Sequence, residues 1–255
     1  MKIYIFADLE GCSGVSGEAY VNGNFAAAGA GLMLHDINTC VEACFAAGAS
    51  SVVVRDGHGS GVNFRSADLD ERAALVQGAV PGVRFPGCDA AAGMILLGYH
   101  AMAGTMAAVL EHSYSSRTIQ NLYLNGRRIG EIGMDAAIAG EHNIPVLLVT
   151  GDDKACAEAK DFLPQVETCC VKQAFAAHAA LCKPLAECRK ALMLAVKQAI
   201  RRIDEIKPVK TPYPCTVRWE NTERTPIPLP GNGVKVIDGR TFERTGGNLE
   251  QVFLA

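Results

Sequence analysis

The 255-residue chain has ten cysteines but no C-x-x-C pair, which argues against a zinc ribbon and against a thioredoxin-type redox site. It carries no Walker-type glycine loop, so nucleotide phosphate transfer is disfavoured. A global positive field is also missing. With 24 Lys+Arg against 27 Asp+Glu, the formal net charge of −3 offers nothing general to nucleic acid or to an anionic membrane. The one basic excess, ten Lys/Arg against five Asp/Glu over residues 183–224, reads as a solvated helix face or a subunit contact. No internal repeat is visible. The first apolar run, residues 3–7, is cut by Asp8 and Glu10 and is too short for a signal-peptide core. Reduced thiols in a cytoplasmic protein are therefore expected, most of them acting as small core residues.

What the chain does have is a 49% hydrophobic composition, enough for one large α/β domain or a domain with an appendage. Residues 90–110 contain only His100 and Thr105 as clearly polar side chains and resemble a membrane span. An Ala- and Gly-rich stretch with an imidazole near its centre is a poor span. It divides instead at Gly98-Tyr99-His100 into two buried strands.

The wider pattern is strands that end in polar clusters and are followed by helices. Residues 2–7 run into Asp8-Leu9-Glu10-Gly11, residues 51–55 into Asp56-Gly57-His58, and residues 94–97 into Gly98-Tyr99-His100. Further strands are expected at 106–114 and 119–124, the second turning through Asn125-Gly126, a type I′ hairpin signal. Helices are expected from Met33 to Gly48, over 130–142, from an Asp152 cap to about 161, and along Leu185, Cys188, Leu192, Val196, Ala199 and Ile203. Strands are expected at 146–150 and 166–174. Beyond Lys207 six prolines, from Pro208 to Pro230, interrupt the chain. The fold class is thus α/β, an open mixed or mostly parallel sheet flanked by helices. Residues 1–180 are expected to form the catalytic domain, and 181–255 a smaller α+β unit available for oligomer contacts.

Ligands of open α/β sheets bind beyond the carboxyl ends of the strands. Asp8, Glu10, His58 and His100 all arrive at such ends, and in an extended backbone Asp8 and Glu10 point to one face. Separately, each has an ordinary reading as a solvated turn acid or a hydrogen-bonded structural histidine. Together they are the donor set of a hard-to-borderline divalent cation. Glu131, in the first turn of a helix, is a fifth candidate, although a favourable helix-dipole contact explains it equally well. Five N/O donors exceed one tetrahedral zinc and suggest a bridging carboxylate between two metals about 3.5–4 Å apart. His112, in Glu111-His112-Ser113, is open to roles as a core histidine, a partner of a ligand, a base or a nucleophile. His35, His142 and His178, read on helices with polar neighbours, receive no role. Cys12 as a hydrolase nucleophile is the weaker idea, because no histidine neighbours it in sequence.

Asp8-Leu9-Glu10-Gly11, Asp56-Gly57-His58, Leu97-Gly98-Tyr99-His100, Glu111-His112-Ser113, Gly130-Glu131-Ile132-Gly133 and the Pro145 to Asp153 stretch stand in the order seen in bacterial D-aminopeptidases of the DppA type. The chain resembles that family over roughly residues 1–185. The resemblance implies two zinc ions per subunit, with Asp8 bridging, Glu10 and His58 completing one site, and His100 and Glu131 the other. It implies His112 as catalytic nucleophile, a homodecamer with internal active sites, and removal of N-terminal D-residues from short peptides such as D-Ala-D-Ala. Two departures stand out. Ala7 replaces the usual Ser, and Arg55 puts a positive charge near the expected metal edge. Rival readings are a non-catalytic metal-stabilised peptide-binding or assembly protein, and another metal-dependent amidase or a phosphoesterase.

Overall fold

The computed structural model describes residues 1–255. Its centre is a seven-stranded sheet built on β1 (Lys2–Ala7). On one side of it lie β2 (Ser51–Asp56) and the edge strand β3 (Ala73–Val76). On the other lie β4 (Ala91–Tyr99), β7 (Val146–Asp152), β8 (Glu167–Ala176) and β9 (Ala179–Cys182). All pairings are parallel except β8 with β9. Because the chain winds first toward β3 and then returns past β1 to β4, strand order reverses between β1 and β4. That reversal opens a crevice at their carboxyl ends.

Strands buried on both faces need apolar side chains at successive positions, and β1 supplies them. Ile3, Ile5 and Ala7 enter one core with helices α1 (Ala26–Ala46) and α4 (Leu185–Arg201). Tyr4 and Phe6 enter the other with α2 (Glu131–Glu141) and the second sheet. That sheet is antiparallel and runs β11 (Val234–Val236), β12 (Thr241–Gly246), β10 (Cys215–Asn221), β5 (Ile119–Leu124), β6 (Arg127–Ile129). Asn125 and Gly126, at φ 49° and 83°, make the left-handed turn that the hairpin requires. Asp152 caps α3 (Asp153–Phe162) by accepting from the Lys154 and Ala155 amides, and α5 (Leu249–Leu254) closes the chain. All ten cysteines are free thiols. No helix is long and apolar enough to cross a membrane.

Three expectations need correction. A division of the chain near residue 180 does not match the layers, because Cys188, Leu192, Val196 and Ala199 of α4 complete the core under the first sheet. The second sheet takes β5 and β6 from the middle of the chain and β10–β12 from its end. Residues 106–114 form no strand. They are a loop with Ala107, Leu110 and Tyr114 at φ 56°, 49° and 59°, and the apolar Ala108 and Val109 are buried against the sheet end without joining it. No strand is expected between residues 55 and 94, yet the edge strand β3 lies there. A half-buried edge strand of four residues leaves too little alternation to recognise.

Candidate metal centre

The site grows from the crevice between β1 and β4. Beyond Ala7 the chain does not stay extended: Asp8 N–H donates to Leu97 O at 2.8 Å, and the chain then turns so that Gly11 N–H donates to Gly98 O at 2.7 Å. The turn presses so closely on β4 that a Cβ on Gly11 would lie 2.0 Å from Tyr99 O. Asp8 and Glu10 thus reach the same place by a tight turn rather than by strand alternation. Beneath them the Lys172 ammonium, fully buried on β8, donates to the carbonyls of Glu10 (2.5 Å), Cys12 (2.9 Å) and Val15 (2.6 Å).

The five candidate ligands and His112 come together. Single ligand atoms from Asp8, Glu10 and His100 lie within 4.8 Å of one another, as do those from His100, His112 and Glu131. His58 Nε2 is 3.3 Å from Glu10 Oε1, and His100 Nε2 is 3.2 Å from Glu131 Oε1 and 3.6 Å from Asp8 Oδ2. The His112 ring stacks on His100 with centroids 3.9 Å apart. Each ring is held by its other nitrogen. His100 Nδ1 faces Ala101 O at 3.0 Å and His112 Nδ1 faces Leu110 O at 2.9 Å. Carbonyls only accept, so both Nδ1 atoms carry the proton. Asn63 donates through Nδ2 to Asp56 Oδ1 and His58 O, which turns its Oδ1 toward His58 Nδ1 at 3.1 Å. All three imidazoles therefore turn Nε2 toward the carboxylates, and in the neutral ring that Nε2 offers the free lone pair a metal ligand needs.

With the rings neutral, this leaves acceptors facing acceptors. Asp8 Oδ2, Glu10 Oε2 and His100 Nε2 are buried with no hydrogen-bond partner. Burial and the neighbouring Glu10 charge push the Asp8 carboxyl well above the usual carboxylate range. At His58, burial opposes the charged ring, but the hydrogen bond and charge of Glu10 outweigh it and raise the imidazole to about 10. Likewise, burial of Glu131 is outweighed by the His100 charge and hydrogen bond, which hold it down at about 2. A pocket that recruits protons so strongly is short of positive charge, and a divalent cation supplies it. On donor type, tautomer and orphaned atoms, the residues fit a metal.

Four supporting residues were not picked out from sequence. Asp56 accepts from the Asn63 amides and fixes the His58 turn. Asp152 accepts Val109 N–H at 2.9 Å and so holds the loop carrying His112. Tyr114 N–H donates to Glu131 Oε1 at 2.6 Å. Asp135, one turn beyond Glu131 on α2, accepts from Tyr99, Tyr114 and Arg84. Only the i, i+4 spacing of Glu131 and Asp135 signalled the last of these.

Other expectations shift. Arg55 is turned toward Val76 O and lies outside the cavity lining. Cys12 is fully buried, with Sγ donating to Asp8 O at 3.1 Å, and burial raises its thiol well above the usual range, so it is no nucleophile. His178 sits in the β8–β9 turn rather than on a helix, at the rim of the cavity. That cavity encloses about 540 Å³ above the cluster and is walled by Glu18, His58, Arg84, Glu111, His112 and Arg117 among others.

A carboxylate and imidazole cluster at the switch point of an open α/β sheet, under a cavity of small-ligand size, is the plan of a metal-dependent hydrolase. The chain belongs to the peptidase M55 family, the D-aminopeptidases, whose family model matches residues 1–255. The match therefore extends past the resemblance over residues 1–185. The D-aminopeptidase of Bacillus subtilis (strain 168) is 34% identical over 217 residues, 83% of this chain and 78% of that protein. The solved structure of the zinc-dependent D-aminopeptidase DppA from Bacillus subtilis, described as a self-compartmentalizing protease, superposes with a TM-score of 0.91. It covers 99% of this chain and 94% of its own, at 29% identity.

Proposed function

We propose that this D-aminopeptidase family member is a dinuclear zinc enzyme that removes N-terminal D-residues from short peptides such as D-Ala-D-Ala. The observation that carries the reading is the convergence of the Nε2 atoms of His58, His100 and His112 on the buried carboxylates of Asp8, Glu10 and Glu131, with Asp8 Oδ2, Glu10 Oε2 and His100 Nε2 left without a hydrogen-bond partner. Asp8 would bridge the ions, Glu10 and His58 would hold one, and His100 and Glu131 the other. When bound, the pair supplies positive charge that polarises a scissile carbonyl and acidifies water. The zinc requirement of the Bacillus subtilis structure supports the choice of metal.

The chain's own groups then do the proton work. His112 is fixed by the Nδ1–H bond to Leu110 O, and its Nε2 lies 3.6 Å from Glu131 Oε1 at the cavity floor. An imidazole so held can attack the carbonyl, or take a proton from water and return it to the leaving amine. Stacking on His100 restricts the ring to one plane, so the approach of Nε2 is set before substrate arrives. The self-compartmentalizing character of the Bacillus subtilis protein supports assembly of this chain into a homo-oligomer, with the decamer as the form proposed.

Elemental analysis and hydrolysis of D-Ala-D-Ala with and without chelator test the reading. The expectation is about two zinc ions per chain, loss of turnover on chelation, and an inactive Asp8→Ala variant. Full activity in Asp8→Ala, or protein that binds no metal, would overturn it. Zinc and peptide binding with no product would instead favour a non-catalytic binding protein, and cleavage of phosphate esters in place of amides would favour a phosphoesterase.

A further inference from the structure

Arg84 stands in the wall of the cavity with one edge of its guanidinium committed and another free. Nε and Nη2 each donate to an Asp135 oxygen at 2.8 Å, a side-on fork into a carboxylate whose side chain is wholly buried. The faces of the group are covered as well: its central carbon lies 4.4 Å from the Phe6 ring centroid and 5.0 Å from that of Tyr114. A guanidinium carries five N–H donors, so the end-on pair of Nη1 and Nη2 still has hydrogens that no protein acceptor takes. The side chain remains 18% exposed, and the residue lines the cavity over the cluster. Its position relative to the cluster is rigid. Asp135 lies one helical turn beyond Glu131 on α2, and Tyr114 ties both, through its N–H to Glu131 and its hydroxyl to Asp135.

A planar fork with its remaining edge open to a cavity recognises a planar anion bidentately. We propose that Arg84 receives the α-carboxylate of a dipeptide substrate, which makes this site selective for dipeptides with a free carboxyl terminus. The proposal rests on the aminopeptidase reading above. With the scissile carbonyl at the cluster, an anion receptor fixed through Asp135 to the turn of α2 that follows Glu131 suits a carboxylate one residue beyond the scissile bond. Longer peptides place their carboxylate further out. Arg117, exposed at the rim of the same cavity, is the competing receptor, but its side chain is not clamped by any neighbour that would fix its direction.

The test compares kcat/KM for D-alanyl-D-alanine and D-alanyl-D-alaninamide, with D-alanine p-nitroanilide as a third substrate, in the zinc-loaded wild type, Arg84→Lys and Arg117→Ala. A carboxylate held by charge-assisted hydrogen bonds gives the wild type a preference of about 10–100-fold for the acid over the amide, expressed mainly in KM. Arg84→Lys, which keeps the charge but loses the fork, should cut that ratio to within about 3-fold, while Arg117→Ala keeps it. Because the readout is a ratio, a general loss of activity does not move it. Should Arg84→Lys fail to fold, the wild-type preference and its persistence in Arg117→Ala still decide. Equal use of acid and amide by the wild type overturns the receptor alone, as does a preference that survives Arg84→Lys or vanishes in Arg117→Ala. An enzyme that cleaves none of the three substrates overturns the aminopeptidase reading itself.

Discussion

Replacing Lys172 by Met removes an ammonium from beneath the loop that bears Asp8 and Glu10 while nearly conserving volume. All three of its N–H donors are spent on main-chain carbonyls. Cys12 O keeps a second donor in Val15 N–H at 3.2 Å, but the carbonyls of Glu10 and Val15 lose this ammonium partner. An orphaned buried acceptor costs about 1–3 kcal/mol, so two cost about 2–6 kcal/mol. Part of this is recovered because an ammonium no longer has to be desolvated. A net loss of about 2–4 kcal/mol is expected, and at about 2–4 °C per kcal/mol for a chain of this size Tm falls by about 4–16 °C. Thermal melts monitored by circular dichroism, with exposed Lys190→Met as control, measure it. Retained zinc, assayed by competition with a chromogenic chelator, should weaken by about 10–100-fold, since Glu10 loses the anchor of its own carbonyl. A Tm within about 2 °C of wild type together with unchanged zinc retention would refute the reasoning.

Gly11→Ala should destabilise the fold and loosen the metal loop, because the new Cβ would meet the Tyr99 carbonyl at 2.0 Å and force the β1 and β4 ends apart. Soluble protein with wild-type Tm and zinc content would contradict this. Burial raises Glu158 to about 7, and its Oε1 has no partner. With the folded value above the unfolded one, the native state holds the extra proton, so this residue's contribution to stability is present below about pH 4.5 and is lost as pH rises through 7. In metal-free protein Glu158→Gln should therefore raise Tm at pH 8 and leave it nearly unchanged at pH 4.5, and a pH-independent difference would be the wrong outcome. Cys12→Ser should keep kcat within about 3-fold, since the hydroxyl can still donate to Asp8 O, whereas abolished turnover would revive a thiol mechanism.

Much of the architecture follows from local pattern. Ile3 to Ala7 and the apolar start of β7 could only be strands buried on both faces, and the Asp152 cap and the Asn125-Gly126 hairpin carry their own stereochemistry. Acids and histidines placed where buried strands stop were legible for a similar reason: charge at the end of an apolar run needs a partner. The loop at 106–114 was misread because burial against a sheet end and pairing within a sheet select the same apolar residues. The second sheet was invisible because it joins β5 to β10 across about ninety residues, and its strands are too short to announce their partners.

The sequence by itself determined the alternation of strands and helices around β1, β2, β4 and β7, the two-faced burial of those central strands and the kinds of donor atom at their ends, because each follows from neighbours within a few residues. Only the tertiary structure decided that those donors meet, that Lys172 pins the acid-bearing loop, and that Asp135 leaves one edge of Arg84 open to the cavity. Such contacts join residues tens to more than a hundred positions apart, and no local preference encodes a distance that only the packed sheets bring to zero.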